Sequence, residues 1–471
     1  MDLDALLLSR LQFAFTIAFH ILFPAFTIGL ASYLAVLEAL WLRTRREAFR
    51  TLYLFWVKVF AISFGMGVVS GVVMSYQFGT NWSEFSRIAM PVIGPLLGFE
   101  VLTAFFLEAS FLGIMLFGWK RVGPKLHFLA TCLVAFGTAV SAFWILSANS
   151  WMQHPTGFAV GEDGRLVATD YLAVIFNPTF PARLAHMLLA AFLTTALVVG
   201  AASAWRLLRE REQAESRIAL RMAVGMFALA APLQLAVGHW SGGVMETYQP
   251  AKMAAVEGYW ETRDDQPFNI AAWPNRRTQR NDWAIGIPGA GSWVVAFKPT
   301  HEVKGLRAFP REDQPPAAIV FWAFRAMVGL GVLMIALGLW GVVLWLRGRL
   351  FDSRAFLTAC VAMGPSGFLA VLFGWITAEV GRQPWVVYGT LRTADAVSPV
   401  TAGQVGWSLT AYFIVYAIVF SGGALYILRL LREGPIAAAA DTAPVYPRAP
   451  GTPLAAGPGE AAGEPSVEPR R

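Results

Sequence analysis
The chain has 471 residues, of which 56% are apolar and only 14% charged, a balance foreign to a soluble domain of this length. Its formal charge of +7 does not mark a nucleic-acid binder, because the arginines fall in short gaps between apolar runs, where they act as topology signals. The two cysteines, Cys132 and Cys360, lie inside apolar runs, which argues against a disulfide framework and leaves a cysteine-based metal site unsupported.

The start, MDLDALLLSR, carries acids where a signal peptide would be basic, so the first apolar run is expected to insert and stay. Runs of 20 residues or more, without the alternation of barrel strands, predict an all-α, polytopic membrane bundle of about nine spans. Their approximate limits are 11–42, 51–77, 91–118, 126–150, 181–207, 218–237, 317–346, 355–377 and 406–431. Arginine and lysine cluster after the first, third, fifth, seventh and ninth runs, which places the N-terminus outside and the C-terminus in the cytoplasm of a bacterial inner membrane. The chain therefore divides into spans one to six (1–237), a long exterior segment (238–316), spans seven to nine (317–432) and a tail (433–471). The exterior segment has no sustained apolar period and reads as a folded cap, with Trp240, Trp260 and Trp273 as interface anchors. The tail, rich in Ala, Pro and Gly, is expected to be disordered.

Polar residues inside the spans are costly and therefore informative. Glu379 stands where the eighth span runs out, followed one turn later by Arg382. His20 lies ~14 Å into the first span and His186 about 8 Å into the fifth, both counted from outside at 1.5 Å per residue. Met327 lies ~15 Å into the seventh, with Arg325 near it. Singly, each His is as well read as a helix-to-helix hydrogen bonder and Met327 as core packing. Together they converge on the outer third of the membrane, where His with Met is an axial pair for a low-spin haem and a lone His or carboxylate leaves a position open. In the third span Glu100 and Glu108 stand ~12 Å apart along an α-helix with faces about 80° apart, a spacing that suits a proton relay. Lys58 and Glu38, near the inner ends of their spans, read as snorkelling residues.

The stretches GFEVLTAFFLEASFLGIMLFGW, SAFWILSANSWMQHPTG, KMAAVEGYWET, FWAFRAMVGLG and GWITAEVGRQPW resemble subunit I of cytochrome bd-type quinol oxidases, from about Arg10 to the end of the last span. The resemblance implies His186 and Met327 as axial ligands of a low-spin haem b, with Arg325 beside it. It implies His20 and Glu379 at a high-spin pair made of a second haem b and either haem d or a further haem b. Trp375 would lie between haems, and Arg10 and Arg382 are propionate partners by charge. Lys252 and Glu257, five apart and uninformative by spacing, match the family's quinol site. Glu100 and Glu108 match its proton path, with Ser141 a weaker candidate. The exterior segment looks like the short form of the family's quinol loop, the form found in oxidases called cyanide-insensitive. Quinol and oxygen as substrates, a second large membrane subunit and a small single-helix subunit are further implications. The rival reading is a cofactor-free ion transporter or channel, against which stands the absence of a clear internal repeat.

Overall fold
The computed structural model describes residues 4–210, 213–296, 298 and 301–435; the tail beyond 435, expected to be disordered, lies outside them. Among the described residues, nine helical stretches are long and apolar enough to cross a bilayer. The first is two helices, α1 (Ala5–His20) and α2 (Leu22–Thr44), and Asp4 starts it by accepting the Leu7 amide at 2.6 Å. Then come α3 (Glu47–Thr80) and a third stretch made of α4 (Ser83–Glu100), a π-helical turn (Val101–Phe105) and α5 (Phe106–Phe117). α6 (Pro124–Gln153) leads into a small hairpin, β1 (Phe158–Val160) with β2 (Leu166–Ala168), and the short α7 (Tyr171–Ile175). The fifth and sixth stretches are α8 (Phe180–Arg209) and α9 (Ala214–Tyr248).

The segment after α9 holds α10 (Pro250–Glu257), an antiparallel ribbon of β3 (Phe268–Asn275) and β4 (Arg280–Ile287), and α11 (Ala290–Ala296). The last stretches are α12 (Ala317–Leu346), α13 (Arg354–Met363) with α14 (Ser366–Val380), and α15 (Ala402–Glu433), the pair β5 (Trp385–Val387) and β6 (Leu391–Arg392) preceding α15. α13 and α14 are separate because Gly364 and Pro365 interrupt the helical ladder.

Lipid is as apolar as leucine, so close approach and interhelical hydrogen bonds hold such helices together. Gly29 of α2 shows this: a Cβ there would stand 2.5 Å from both the Ala191 carbonyl oxygen and Thr195 Oγ1 of α8. Thr195 in turn donates to the Phe26 carbonyl at 2.9 Å. A Cβ on Gly367 of α14 would likewise stand 2.7 Å from Thr194 Cα of α8. The largest apolar cluster, with Leu30, Leu34, Phe60, Phe227 and Phe356, occupies the half of the bundle nearer the arginine-rich connections.

Three expectations change. α9 runs to Tyr248 rather than ending near 237, since the run HWSGGVMETY keeps helical backbone as its polarity rises. Trp260 is not an interface anchor: it is buried in the cap, its Nε1 donating to Asn281 Oδ1 at 2.9 Å. Lys58 is exposed, but Glu38 does not snorkel: it is 1% exposed, faces His127 Nδ1 at 2.7 Å and accepts from Thr131 Oγ1 at 2.6 Å. Two hydrogen-bonding neighbours on α6 compensate the carboxylate more fully than a reach to the interface would.

Candidate functional site
One buried polar network joins the ends of α6, α8 and α14 to α10. Glu379 Oε2 pairs with Arg382 at 2.5 Å, while Glu379 Oε1 accepts from Asn149 Nδ2 at 3.0 Å and Gln153 Nε2 at 3.1 Å. Asn149 Oδ1 in turn accepts from Arg183. Gln153 Oε1 accepts from Lys252 Nζ at 2.5 Å, and Lys252 also donates to Gln249 Oε1 at 2.7 Å. Burial, helped by Arg183 and Arg382, pulls the Lys252 ammonium well below its ordinary range, against the opposing pull of Glu379.

The network carries more donors than acceptors. Arg382 is 5% exposed, yet among the described residues its Nε and Nη1 have no partner, and the buried Arg183 Nε has none either. Even with Lys252 neutral, two guanidiniums face one carboxylate. Buried, partly unpartnered arginines are the receptor that a carboxylate-bearing ligand requires.

Lys252 and Glu257 diverge from α10. Glu257 Oε2 pairs with Arg325 Nη2 of α12 at 2.6 Å, and Arg325 Nε donates to the Asn269 carbonyl at 2.8 Å. The Arg325 guanidinium also lies 4.6 Å from the Phe321 ring centroid. Arg325 is thereby committed to the cap.

The three candidate axial residues share a feature absent from the sequence reading. A Cβ on Gly71 of α3 would meet His20 Cε1 at 3.1 Å, one on Gly238 of α9 would meet His186 Cε1 at 3.4 Å, and one on Gly374 of α14 would meet Met327 Sδ at 2.9 Å. Each is half-buried and faces a helix stripped of its side chain. His20 Nδ1 lies 2.9 Å from Ser70 Oγ, whose hydroxyl donates to the Gly67 carbonyl at 2.9 Å. Ser70 must therefore accept from Nδ1–H, which leaves the His20 Nε2 lone pair for a metal. His186 Nε2 lies 3.1 Å from Gln234 Nε2, while His186 Nδ1 and Gln234 Oε1 are buried without partners among the described residues. These ring nitrogens and the thioether fit iron porphyrins, and the unpartnered arginine donors fit their propionates. Glu379 fits less simply, because both oxygens are engaged and an iron would have to displace Arg382 or the amides.

Trp375 is half-buried on α14 beside Gly374. Arg10 is exposed and makes no ion pair among the described residues. Glu108 is buried with its Cγ 2.7 Å from where a Cβ of Gly137 would stand, and Glu100 accepts from Ser141 Oγ at 2.7 Å. Sequence reasoning missed Arg183, Asn149, Gln153, Gln249, Gln234 and Ser70. The signal for Arg183 was present, three residues before His186 on the same helical face.

Nine spans around a buried network with ligand-competent side chains define a multi-pass membrane protein built to hold cofactors within its bundle. The sequence profile of cytochrome bd terminal oxidase subunit I matches residues 8–435, and the chain belongs to that family. It is 38% identical to cytochrome bd ubiquinol oxidase subunit 1 of Bacillus subtilis (strain 168), over 92% of this chain and 94% of the relative. It is 34% identical to cytochrome bd-II ubiquinol oxidase subunit 1 of Escherichia coli (strain K12), over 92% and 98%. The solved bd oxidase from Geobacillus thermodenitrificans superposes with a TM-score of 0.85 at 31% identity, covering 92% of this chain and 100% of that one.

Proposed function
We propose that this chain is the quinol-oxidising subunit of a terminal respiratory oxidase, in which quinol is oxidised at the cap and oxygen reduced to water inside the bundle. The observation that carries this is the continuous hydrogen-bonded path from Lys252 through Gln153 to Glu379, which ties the cap to the ligand-bearing helices. Haem, when bound, supplies the electron transfer and the oxygen chemistry. His186 and Met327 would hold the low-spin haem b; His20 would serve the high-spin pair, a second haem b with haem d or a further haem b, and Glu379 would join it where Arg382 or an amide gives way. Arg382 and Arg183 neutralise their carboxylates.

The remaining work belongs to the side chains. Lys252, favoured as the neutral amine by burial, can take a proton from a quinol hydroxyl, while Glu257, oriented by Arg325, fixes the other end of the ring. Glu108 and Glu100 carry protons from the arginine-rich side, Ser141 orienting Glu100. A second large membrane subunit, and a small single-helix one, complete the assembly.

The reduced-minus-oxidised visible spectrum of the purified assembly tests the reading. Haem bands are expected, and a spectrum without any would end it. His186→Ala and Met327→Leu should each remove the low-spin band and spare part of the high-spin signal. A low-spin band that survives either change overturns the axial assignment.

A further inference from the structure
The ribbon formed by β3 and β4 has two unlike faces. On one face β3 is spent on the protein: Asn269 is buried, donating from Nδ2 to the Glu257 carbonyl at 2.9 Å, and Ala272 is buried too, while their β4 partners Gly286 and Ala284 stay exposed. Neighbouring strand residues point to opposite faces, and the register pairs Ala271 with Ile285 and Phe268 with Ile287. The other face therefore carries Trp283, Ile285 and Ile287, which are 47%, 64% and 51% exposed. Trp273, at a register shift of β3, is exposed too. A ribbon with such a face in water is an aggregation hazard, and exposed apolar patches of this kind mark surfaces that meet another phase or molecule.

Its neighbour identifies the occupant. The Trp283 ring lies 6.3 Å from that of Trp322, near the start of the membrane-crossing α12, where Ile319 is also exposed. The apolar face of the ribbon thus continues the lipid-facing surface of a span, and it does so with tryptophan, the residue that settles at the water–lipid boundary. The turn between the strands carries Arg276, whose guanidinium donates to the Arg311 carbonyl at 2.6 Å, and Arg277, and β4 opens with Arg280; Arg277 and Arg280, both exposed, are cations suited to lipid phosphates.

We propose that this face of the ribbon docks into the headgroup layer of the bilayer, holding the cap at a depth where lipid-dissolved quinol reaches α10 sideways from the membrane. The docking stands on the ribbon alone; the quinol route rests on the function proposed above.

The test uses the assembled oxidase with Cys132→Ser and Cys360→Ser, carrying either Ile285→Cys or Arg277→Cys labelled with a fluorophore, in phosphatidylcholine vesicles. Lipids brominated high on the acyl chain should quench the label at position 285, and aqueous iodide should not; the label at 277 should respond to iodide. Quenching at 285 by iodide alone places the face in water, and quenching by neither agent places a protein over it; both overturn docking. Independently, Ile285→Asp with Ile287→Asp should raise KM several-fold for a long-chain quinol in vesicles. The haem spectrum and KM for a short-chain, water-soluble quinol should not change. An equal effect on both quinols, or on neither, overturns the lateral route. If the unsubstituted enzyme oxidises no quinol while bromolipid still quenches position 285, the proposed function fails and the docking stands.

Discussion
At the scale of single residues, the partner of a ligand decides what the ligand can do. Ser70 spends its own proton on Gly67 and so fixes His20 as the tautomer with a free Nε2. Removing the partner that orients a metal-binding histidine typically costs 10- to 100-fold in affinity. Ser70→Ala is therefore expected to lower haem retention at the high-spin site by about that factor, read by pigment content per protein after washing, with the low-spin band intact. Gln153 has a comparable role, accepting from Lys252 and donating to Glu379. A hydrogen bond to a charged group is worth about 1.5–3 kcal/mol, so Gln153→Leu should slow quinol oxidation by roughly 10- to 100-fold at unchanged haem content. Lys252 makes a prediction with a sign. Its folded value is depressed below the unfolded value of about 10.4, so between the two the unfolded chain binds more protons and stability rises with pH. Lys252→Met removes that slope: the variant should melt above the parent at pH 7, and the gap should narrow toward pH 10.

At the scale of elements, the third membrane stretch shows where helical arithmetic stops being sufficient. Counting 100° per residue sets Glu100 and Glu108 about 80° apart, and in the structure both acids face α6. The route differs: the π turn at Val101–Phe105 takes up an extra residue and re-aims the acids, so that Glu108 meets Gly137 and Glu100 meets Ser141, one turn apart on α6. Nothing in the side-chain pattern of VLTAF announces an i to i+5 turn, because its residues also suit an α-helix. The same limit hid Glu38 and His127, whose pairing depends on the packing of α2 against α6. Inserting one alanine after the exposed Leu102 adds a residue that the π turn has not absorbed and should rotate Glu100 off Ser141 by about 100°. General acid–base groups contribute about 10²-fold or more, so oxygen consumption should fall by that order while haem spectra persist. Spectral loss would instead mean that the turn supports the bundle and not the proton path.

At the scale of the whole molecule, all nine spans were legible because a bilayer forces every backbone amide into an internal bond, and about 20 apolar residues are then unavoidable. Charge balance was not legible in the same way, since it is settled only when α6, α8, α10 and α14 meet. There the protein sets the half-buried Arg183 and the buried Arg382 and Lys252 against the single carboxylate of Glu379 and leaves three buried guanidinium nitrogens unpartnered among the described residues. Each unsatisfied buried donor costs about 1–3 kcal/mol, a large share of the stability of any domain. A fold with that deficit is completed by an anion arriving from outside the chain, and the propionates of a porphyrin supply it. Protein made in haem-starved cells should then melt well below the loaded form, by mass action on the folded state. Arg183→Met tests the cause, because it removes the surplus cation and spares the pair between Glu379 and Arg382. It should raise the melting temperature of the haem-free protein while weakening haem retention in the loaded one. A variant that lowers both temperatures equally would show that Arg183 serves packing and not the charge of the cofactor.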